Sequence, residues 1–252
     1  MPSGTSSGNS ATSPDRAPST LTAVPPPLRR RSNSPRPPAA PVIPRREQLE
    51  PPRTELETDG LWDGVLAVAD HAPDPEEGAA QIGGMEIRES ALENLRLSGA
   101  RADGLRLTDV VISGCDLSGL VADGASLTRV RFVGCRLTGI VLSDARLTDV
   151  SFEDCHADMI NLRMARLQRV RLASTRCRQA DLLEARIADL TTEGSDLRGA
   201  AFDRATLSAV DLRGADLEDL RGASALRGAL ISPDQVLGVG LALIGEAGIR
   251  VD

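Results

Sequence analysis

Four cysteines are the residues of this sequence best suited to bind a metal ion or to form a disulfide. Cys115, Cys135 and Cys155 are spaced by twenty residues, and Cys177 follows later. The meaning of the even spacing therefore depends on the fold that positions these side chains.

Histidine, the usual acid–base residue near neutral pH, occurs only as His71 and His156. His156 has acidic neighbours at Glu153, Asp154 and Asp158, but catalysis and metal binding need groups that converge in a concave site. The sequence contains no phosphate-binding glycine loop, GxSxG or HExxH motif. We predict no catalytic residue, no metal site and no cofactor.

A repeat of five residues fills the centre of the chain and must position all of these side chains. From Ile82 to Leu217 every fifth residue is apolar or small and none is charged, which gives 28 consecutive units. A period of five matches neither a helix nor a strand, and repetition at a fixed period is typical of solenoids. The core must rely on aliphatic residues, because only four aromatic residues occur.

Like residues also recur at every fourth unit, which is a step of twenty residues. One column of valines and one of alanines show this: Val110, Val130, Val150, Val170, Leu190 and Val210, and Ala125, Ala145, Ala165, Ala185, Ala205 and Ala225. A coil with four five-residue sides would stack each residue on its counterpart, at about the 4.8 Å spacing of neighbouring strands. The 28 units then make about seven coils.

These units resemble the pentapeptide-repeat family, whose consensus is A(D/N)Lxx. The nearest matches lie at residues 116–119, 161–164, 195–199 and 215–219, and the resemblance covers about residues 80–232. It implies an all-β fold, a right-handed quadrilateral β-helix. Small residues at central sites, such as Ala102 and Thr192, depart from the consensus.

In such a coil the three evenly spaced cysteines form one column. Thiols in line about 4.8 Å apart cannot surround a zinc ion tetrahedrally, and the column continues as Thr175 and Ser195. We therefore interpret these cysteines, and Cys177 at a central site, as small buried core residues. Phe132 and Phe152 are twenty residues apart and are predicted to stack inside the core.

Composition divides the chain into four segments. Residues 1–46 are rich in Pro, Ser and Arg, with seven arginines against one aspartate, and are predicted to be a disordered tail. Residues 47–79, with ten acidic residues against one arginine, are an acidic linker and N-terminal cap. Residues 80–231 form the β-helix, whose frame slips by one residue after Leu217. Residues 232–252 are predicted to be a C-terminal capping helix and tail, beginning at Ser232.

Arginines supply every basic side chain and form the candidate interaction surface. One set occupies equivalent positions of successive coils: Arg106, Arg146, Arg166 and Arg186. A second set forms a basic belt without an acidic residue between 159 and 180: Arg163, Arg169, Arg171, Arg176 and Arg178, together with Arg166. A further column alternates Asp and Arg at positions 109, 129, 149, 169 and 189, which predicts ion pairs between coils.

The global properties limit the partners. A net charge of −7 argues against direct nucleic-acid binding, and the longest apolar run, residues 236–245, is half a membrane span. The first thirty residues lack the apolar stretch of a secretory signal. We therefore expect a cytoplasmic protein, and the absence of lysine suggests a GC-rich bacterial genome.

Two functions from different classes remain open. The first is a non-enzymatic protein-interaction scaffold, a rigid charged rod that binds another protein. The alternative, implied by the family resemblance, is a DNA-mimicking protector or inhibitor of a type II topoisomerase such as gyrase, although a nearly neutral repeat region suits a mimic poorly. The resemblance also implies a homodimer through the C-terminal segment. Ser32, after three arginines, and Ser34, before Pro35, are candidate phosphorylation sites.

Overall fold

The structure, a computed structural model, describes residues 34–52, 56, 58–68 and 79–250, and its main feature is one parallel β-solenoid. The strands are β1 (Leu61–Asp63), β2 (Leu66–Ala67), β3 (Glu86–Glu93), β4 (Arg106–Ser113), β5 (Ser126–Val133), β6 (Arg146–Glu153), β7 (Arg166–Ala173), β8 (Arg186–Glu193) and β9 (Thr206–Asp211). Short 3-10 helices span Arg46–Gln48, Ala223–Leu226 and Pro233–Gln235, and one α-helix, α1, spans Val236–Glu246.

Backbone hydrogen bonds join each coil to the next at a register of twenty residues. Every strand from β3 to β9 pairs in parallel with its neighbour, so that Val130 lies between Val110 and Val150. Single bridges at the same register, such as Asp116 with Arg136, continue the bonding around the coil. Six complete turns separate β3 from β9, and the predicted β-helix is confirmed.

A left-handed backbone corner closes each five-residue side. In the coil that begins at β5 the corners are Arg129, Gly134, Gly139 and Asp144, with φ between 52° and 70°. Glycine adopts such angles freely, whereas other L residues lose roughly 1–2 kcal/mol. Four corners per coil give the four sides that the period of twenty predicts.

The core consists of stacked columns of identical or similar side chains. Phe132 and Phe152 are buried with their ring centroids 4.9 Å apart and their planes 3° from parallel, which confirms the predicted stack. The valine column that begins at Val110 is buried along the rod. Burial of each large aliphatic side chain contributes about 1.5–3 kcal/mol, so the narrow interior is stabilised along its whole length.

All four cysteines are buried and free. The Cys135 thiol lies 3.4 Å from the carbonyl oxygens of both Ile112 and Val133. Thr175, in the same column, makes the equivalent hydrogen bonds to carbonyls 23 and two residues earlier, at 3.1 and 2.9 Å. From Cys115 to Ser195 the column therefore holds small side chains that can donate a hydrogen bond, whereas Leu95 and Ala215 at its two ends cannot. Burial raises the pKa of the Cys177 thiol.

The N-terminal end of the rod is closed by β1 and β2. Both pair with β3 at a register of twenty-five residues, so that Trp62 lies beside Ile87, a central core residue. The Trp62 side chain is buried. The apolar island of the acidic linker thus covers an end that would otherwise expose the core.

The C-terminal end begins where the five-residue frame slips. Gly222 has a φ of 72° and precedes the 3-10 helix Ala223–Leu226, which replaces the next regular side. Gln235 fixes the following helix α1 to the last coil, because its side-chain amide donates to the carbonyls of Leu212 and Ala215 at 2.7 and 2.6 Å. Of the α1 side chains only Val239 is buried, so the predicted capping helix covers the rod with one edge.

Residues 34–46 are the last part of the segment that composition predicts to be a disordered tail, and the structure describes them. This stretch lies along one edge of the solenoid and is held by backbone amides that donate to aspartates: Arg36 to Asp189 at 3.1 Å, Ala39 to Asp149 at 2.9 Å and Val42 to Asp109 at 2.9 Å. The Arg36 guanidinium also binds Asp189, and Arg46 pairs with Glu93 at 2.7 Å. Composition alone does not predict this contact, because the carboxylate acceptors belong to residues that are distant in sequence.

We predict that Gly222→Ala destabilises the rod much more than Gly228→Ala. Both glycines have positive φ, so each alanine loses roughly 1–2 kcal/mol. Only at position 222 would the new Cβ collide with backbone, at Asp203 and Phe202, whereas position 228 has nothing within 4 Å. Denaturant titration should show that Gly222→Ala lowers the free energy of unfolding by about 1–3 kcal/mol more than Gly228→Ala does. Equal losses would contradict the close approach of Gly222 to the backbone of Phe202 and Asp203.

Candidate interaction surface

Five of the six arginines of the predicted basic belt pair with carboxylates, and the sixth, Arg166, pairs with none among the described residues. The pairs are Arg163 with Asp181 at 3.3 Å, Arg169 with Asp149 at 2.7 Å, Arg171 with Glu193 at 2.5 Å, Arg176 with Asp158 at 2.7 Å and Arg178 with Asp196 at 2.6 Å. Each pair joins neighbouring coils, and most are partly exposed, where such a pair contributes about 0–1 kcal/mol. The positive charge of these five arginines is thus offset within the rod, and their role as a binding surface stays a prediction.

A second set of arginines remains exposed and unpaired, and we call it the arginine strip. It contains the first residues of β4, β6, β7 and β8, namely Arg106, Arg146, Arg166 and Arg186, with Ser126 of β5 in the gap. Within the described part of the chain none of these four guanidinium groups forms a hydrogen bond or an ion pair. Like charges stacked at about the 4.8 Å coil spacing repel each other, so the strip does not stabilise the fold.

The alternating column, which we call the aspartate edge, forms the predicted ion pairs. Arg129 binds Asp109 through two hydrogen bonds of 2.7 and 2.6 Å, and Arg169 binds Asp149 at 2.7 and 2.8 Å. These hydrogen bonds are the main cause that lowers the pKa of both carboxyl groups. The third aspartate, Asp189, meets Ala209 in the next coil, so no arginine of the column forms a hydrogen bond with it, although Arg169 interacts with it electrostatically.

Two exposed methionines form a surface feature that the repeat pattern does not predict. Met159 and Met164 lie at successive corners with φ of 56° and 58°, and their side chains are 53% and 46% exposed. The equivalent corners of the preceding coil are Gly139 and Asp144, which suit this conformation better. The sequence feature that could have identified them is a large apolar residue at a corner position that favours glycine or aspartate. The flexible thioether side chain of methionine suits contact with another protein.

The remaining candidate residues do not converge on a site. His156 is exposed, and no cluster of three metal-ligating side chains occurs among the residues described. Ser34 is exposed, whereas Ser32 and His71 lie outside the described residues, and phosphorylation of either serine stays a prediction. No helix in the described ranges is long and apolar enough to cross a membrane.

Comparisons with known proteins find similarity in sequence and in structure. A structure of QnrB1, a plasmid-mediated fluoroquinolone resistance protein, is 20% identical over 77% of this chain and 100% of that chain, with a TM-score of 0.32. HetL, a pentapeptide repeat protein involved in heterocyst differentiation regulation from the cyanobacterium Nostoc, is 18% identical over 70% of this chain and 92% of that chain, with a TM-score of 0.28. No curated protein matches the sequence.

The family comparison concerns the centre of the rod. Residues 125–202 match the model of the pentapeptide repeat region. The same five-residue period and twenty-residue register continue on both sides of this match, from β3 to β9. The centre of the rod, residues 125–202, is therefore a pentapeptide repeat region.

Proposed function

We propose that this protein is a non-enzymatic scaffold that binds an anionic surface of a partner protein through the arginine strip. The observation that carries the proposal is the contrast between the strip and the belt. The belt arginines other than Arg166 have carboxylate partners within the rod, whereas the four strip arginines have none among the described residues. A row of uncompensated charges that adds nothing to folding is available to a ligand.

The overall charge favours a protein partner over a nucleic acid. The chain carries a net charge of −7, which would repel a polyanion over distances of a Debye length, about 8–10 Å. A partner with a short acidic patch would meet only the strip. The strip also runs along a rigid β-sheet, so its arginines lose little backbone freedom on binding.

We further propose that helix α1 forms a contact between two copies of the chain. Its apolar side chains are largely exposed: Val236 57%, Leu237 73%, Leu241 51% and Leu243 42%. Adjacent exposed apolar residues at the end of a rod are typical of an interface between proteins. Contact between two such helices would give a symmetric pair with the rods extending outward.

The DNA-mimic alternative is not favoured by the charges. A mimic of the double helix needs regularly spaced, uncompensated acidic groups, and many carboxylates along this rod are bound by arginines. If the protein protects gyrase, a supercoiling assay with added protein should report it at micromolar concentration. Protection by a variant that lacks the strip charges would exclude the strip as the contact.

We predict that removing a strip arginine leaves stability unchanged, whereas removing its paired neighbour does not. Arg166→Gln should alter the free energy of unfolding by less than about 0.5 kcal/mol. Arg169→Gln, three residues later, leaves the Asp149 carboxylate without its two-bonded partner and should cost about 1–3 kcal/mol. Denaturant titration of both variants tests this, and an equal loss would mean that Arg166 has a structural role.

We predict that a photo-crosslinking residue in the strip captures an acidic protein in the native host. Ser126 is the insertion site, because it lies in the strip and loses no charge. Ser118, on the opposite side of the coil and similarly half-buried, is the matched control. A third insertion at Leu237 should yield a product of twice the chain mass if α1 forms the dimer.

The crosslink from Ser126 should disappear when Arg146, Arg166 and Arg186 are changed to Glu. Products that are equally abundant from Ser118, or that survive the charge reversal, would refute the strip as the binding surface. Crosslinks from Ser126 to nucleic acid would mean that the ligand of the strip is a nucleic acid, and would contradict the proposed protein partner.

A further inference from the structure

The contact between residues 36–42 and the aspartate edge has the geometry of a bound peptide. The amides of Arg36, Ala39 and Val42 each donate to one aspartate, at intervals of three residues along the segment. The Val42 side chain is 71% exposed, so the rod contacts the backbone of this residue and leaves its side chain free. With the segment in place, the three aspartates are nearly buried, with side-chain exposures of 9–11%.

The spacing of the two partners matches. Successive aspartates of the edge are two coils apart, or about 9.6 Å at the usual strand spacing. Three residues of a polyproline II chain rise about 9.3 Å. An extended proline-rich segment can therefore present one amide to each aspartate over the whole site without a break in its conformation.

The prolines of the segment occupy only positions whose amides the edge does not use. Pro37, Pro38 and Pro41 lie between the three donors, where the missing N–H costs nothing and the fixed φ favours the extended form before binding. Ala40 also donates no hydrogen bond to a described residue. The pattern is an arginine followed by non-proline residues three and six positions later, with proline tolerated between them.

Arg36 completes the aspartate edge. Arg129 and Arg169 bind the two lower aspartates from the adjacent coil, but Ala209 leaves Asp189 without such a partner. The Arg36 guanidinium takes the missing place, with hydrogen bonds of 3.2 and 3.0 Å to the Asp189 carboxylate. Asp189 therefore receives its hydrogen-bonded arginine from the segment and not from the repeat.

We propose that the aspartate edge is a binding site for extended proline-rich peptides that begin with arginine, and that residues 36–42 are its displaceable ligand within the same chain. Because the aspartates accept hydrogen bonds from backbone amides, a segment of another chain with the same pattern fits the edge equally well. A second copy of this protein carries such a segment. The site is separate from the arginine strip, so it does not depend on the proposed scaffold function.

The test uses the full chain with its own ligand weakened by Arg36→Ala together with Ala39→Pro. The probe is a fluorescein-labelled peptide of residues 34–46, and its binding is followed by fluorescence anisotropy. An otherwise identical peptide with Ala39→Pro lacks one bonding N–H but keeps the extended conformation. The matched control peptide carries Ala40→Pro, which removes an amide that the edge does not use.

The weakened chain should bind the native peptide and the Ala40→Pro peptide with equal affinity, and the Ala39→Pro peptide at least about tenfold more weakly. The unaltered chain should bind the native peptide at least about tenfold more weakly than the weakened chain, because its own segment is present at an effective concentration of about 1 mM. Equal binding of the two proline-substituted peptides would overturn the proposal. Failure of the native peptide to bind the weakened chain would also overturn it and would leave the segment as a fixed part of the fold.

Discussion

The hydrogen bonding of each coil to the next, at a register of twenty residues, is the constraint on which the rest of this molecule depends. It places like residues above one another, so that one choice of side chain is repeated along a whole column. Apolar columns then fill a narrow core, and polar columns become ladders on the surface. The same register sets the spacing at which any ligand of the rod must present its groups.

The consequences differ between the columns because the charges differ. Where Asp and Arg alternate, each coil holds its neighbour and the surface is neutral. Where arginine stacks on arginine, as at Arg146, Arg166 and Arg186, the positive charges are not paired within the rod and do not stabilise the fold. Both surfaces begin within a few residues of each other on the same strands, and each is suited to a different kind of contact.

The sequence predicts the repeating part of the structure well because every column is repeated in it. The strands, the corners, the Phe132 and Phe152 stack and the Asp–Arg pairs all follow from a period of twenty. Features that break the period could not be read in the same way. Gly222 stands at a frame slip, Met159 replaces a glycine corner, and Arg36 binds an aspartate 153 residues away. Each depends on a neighbour that only the folded coil supplies.

The most direct test of the account compares two deletions. Removing residues 106–125 takes out one whole coil and keeps every column aligned, with Glu89 next to Arg129. Removing only residues 106–120 preserves the five-residue period but shifts all later columns by one side. We predict cooperative denaturant unfolding with parallel-β circular dichroism for the larger deletion, and a less stable or unfolded protein for the smaller one. Equal or greater stability of the smaller deletion would contradict the twenty-residue register as the organising constraint.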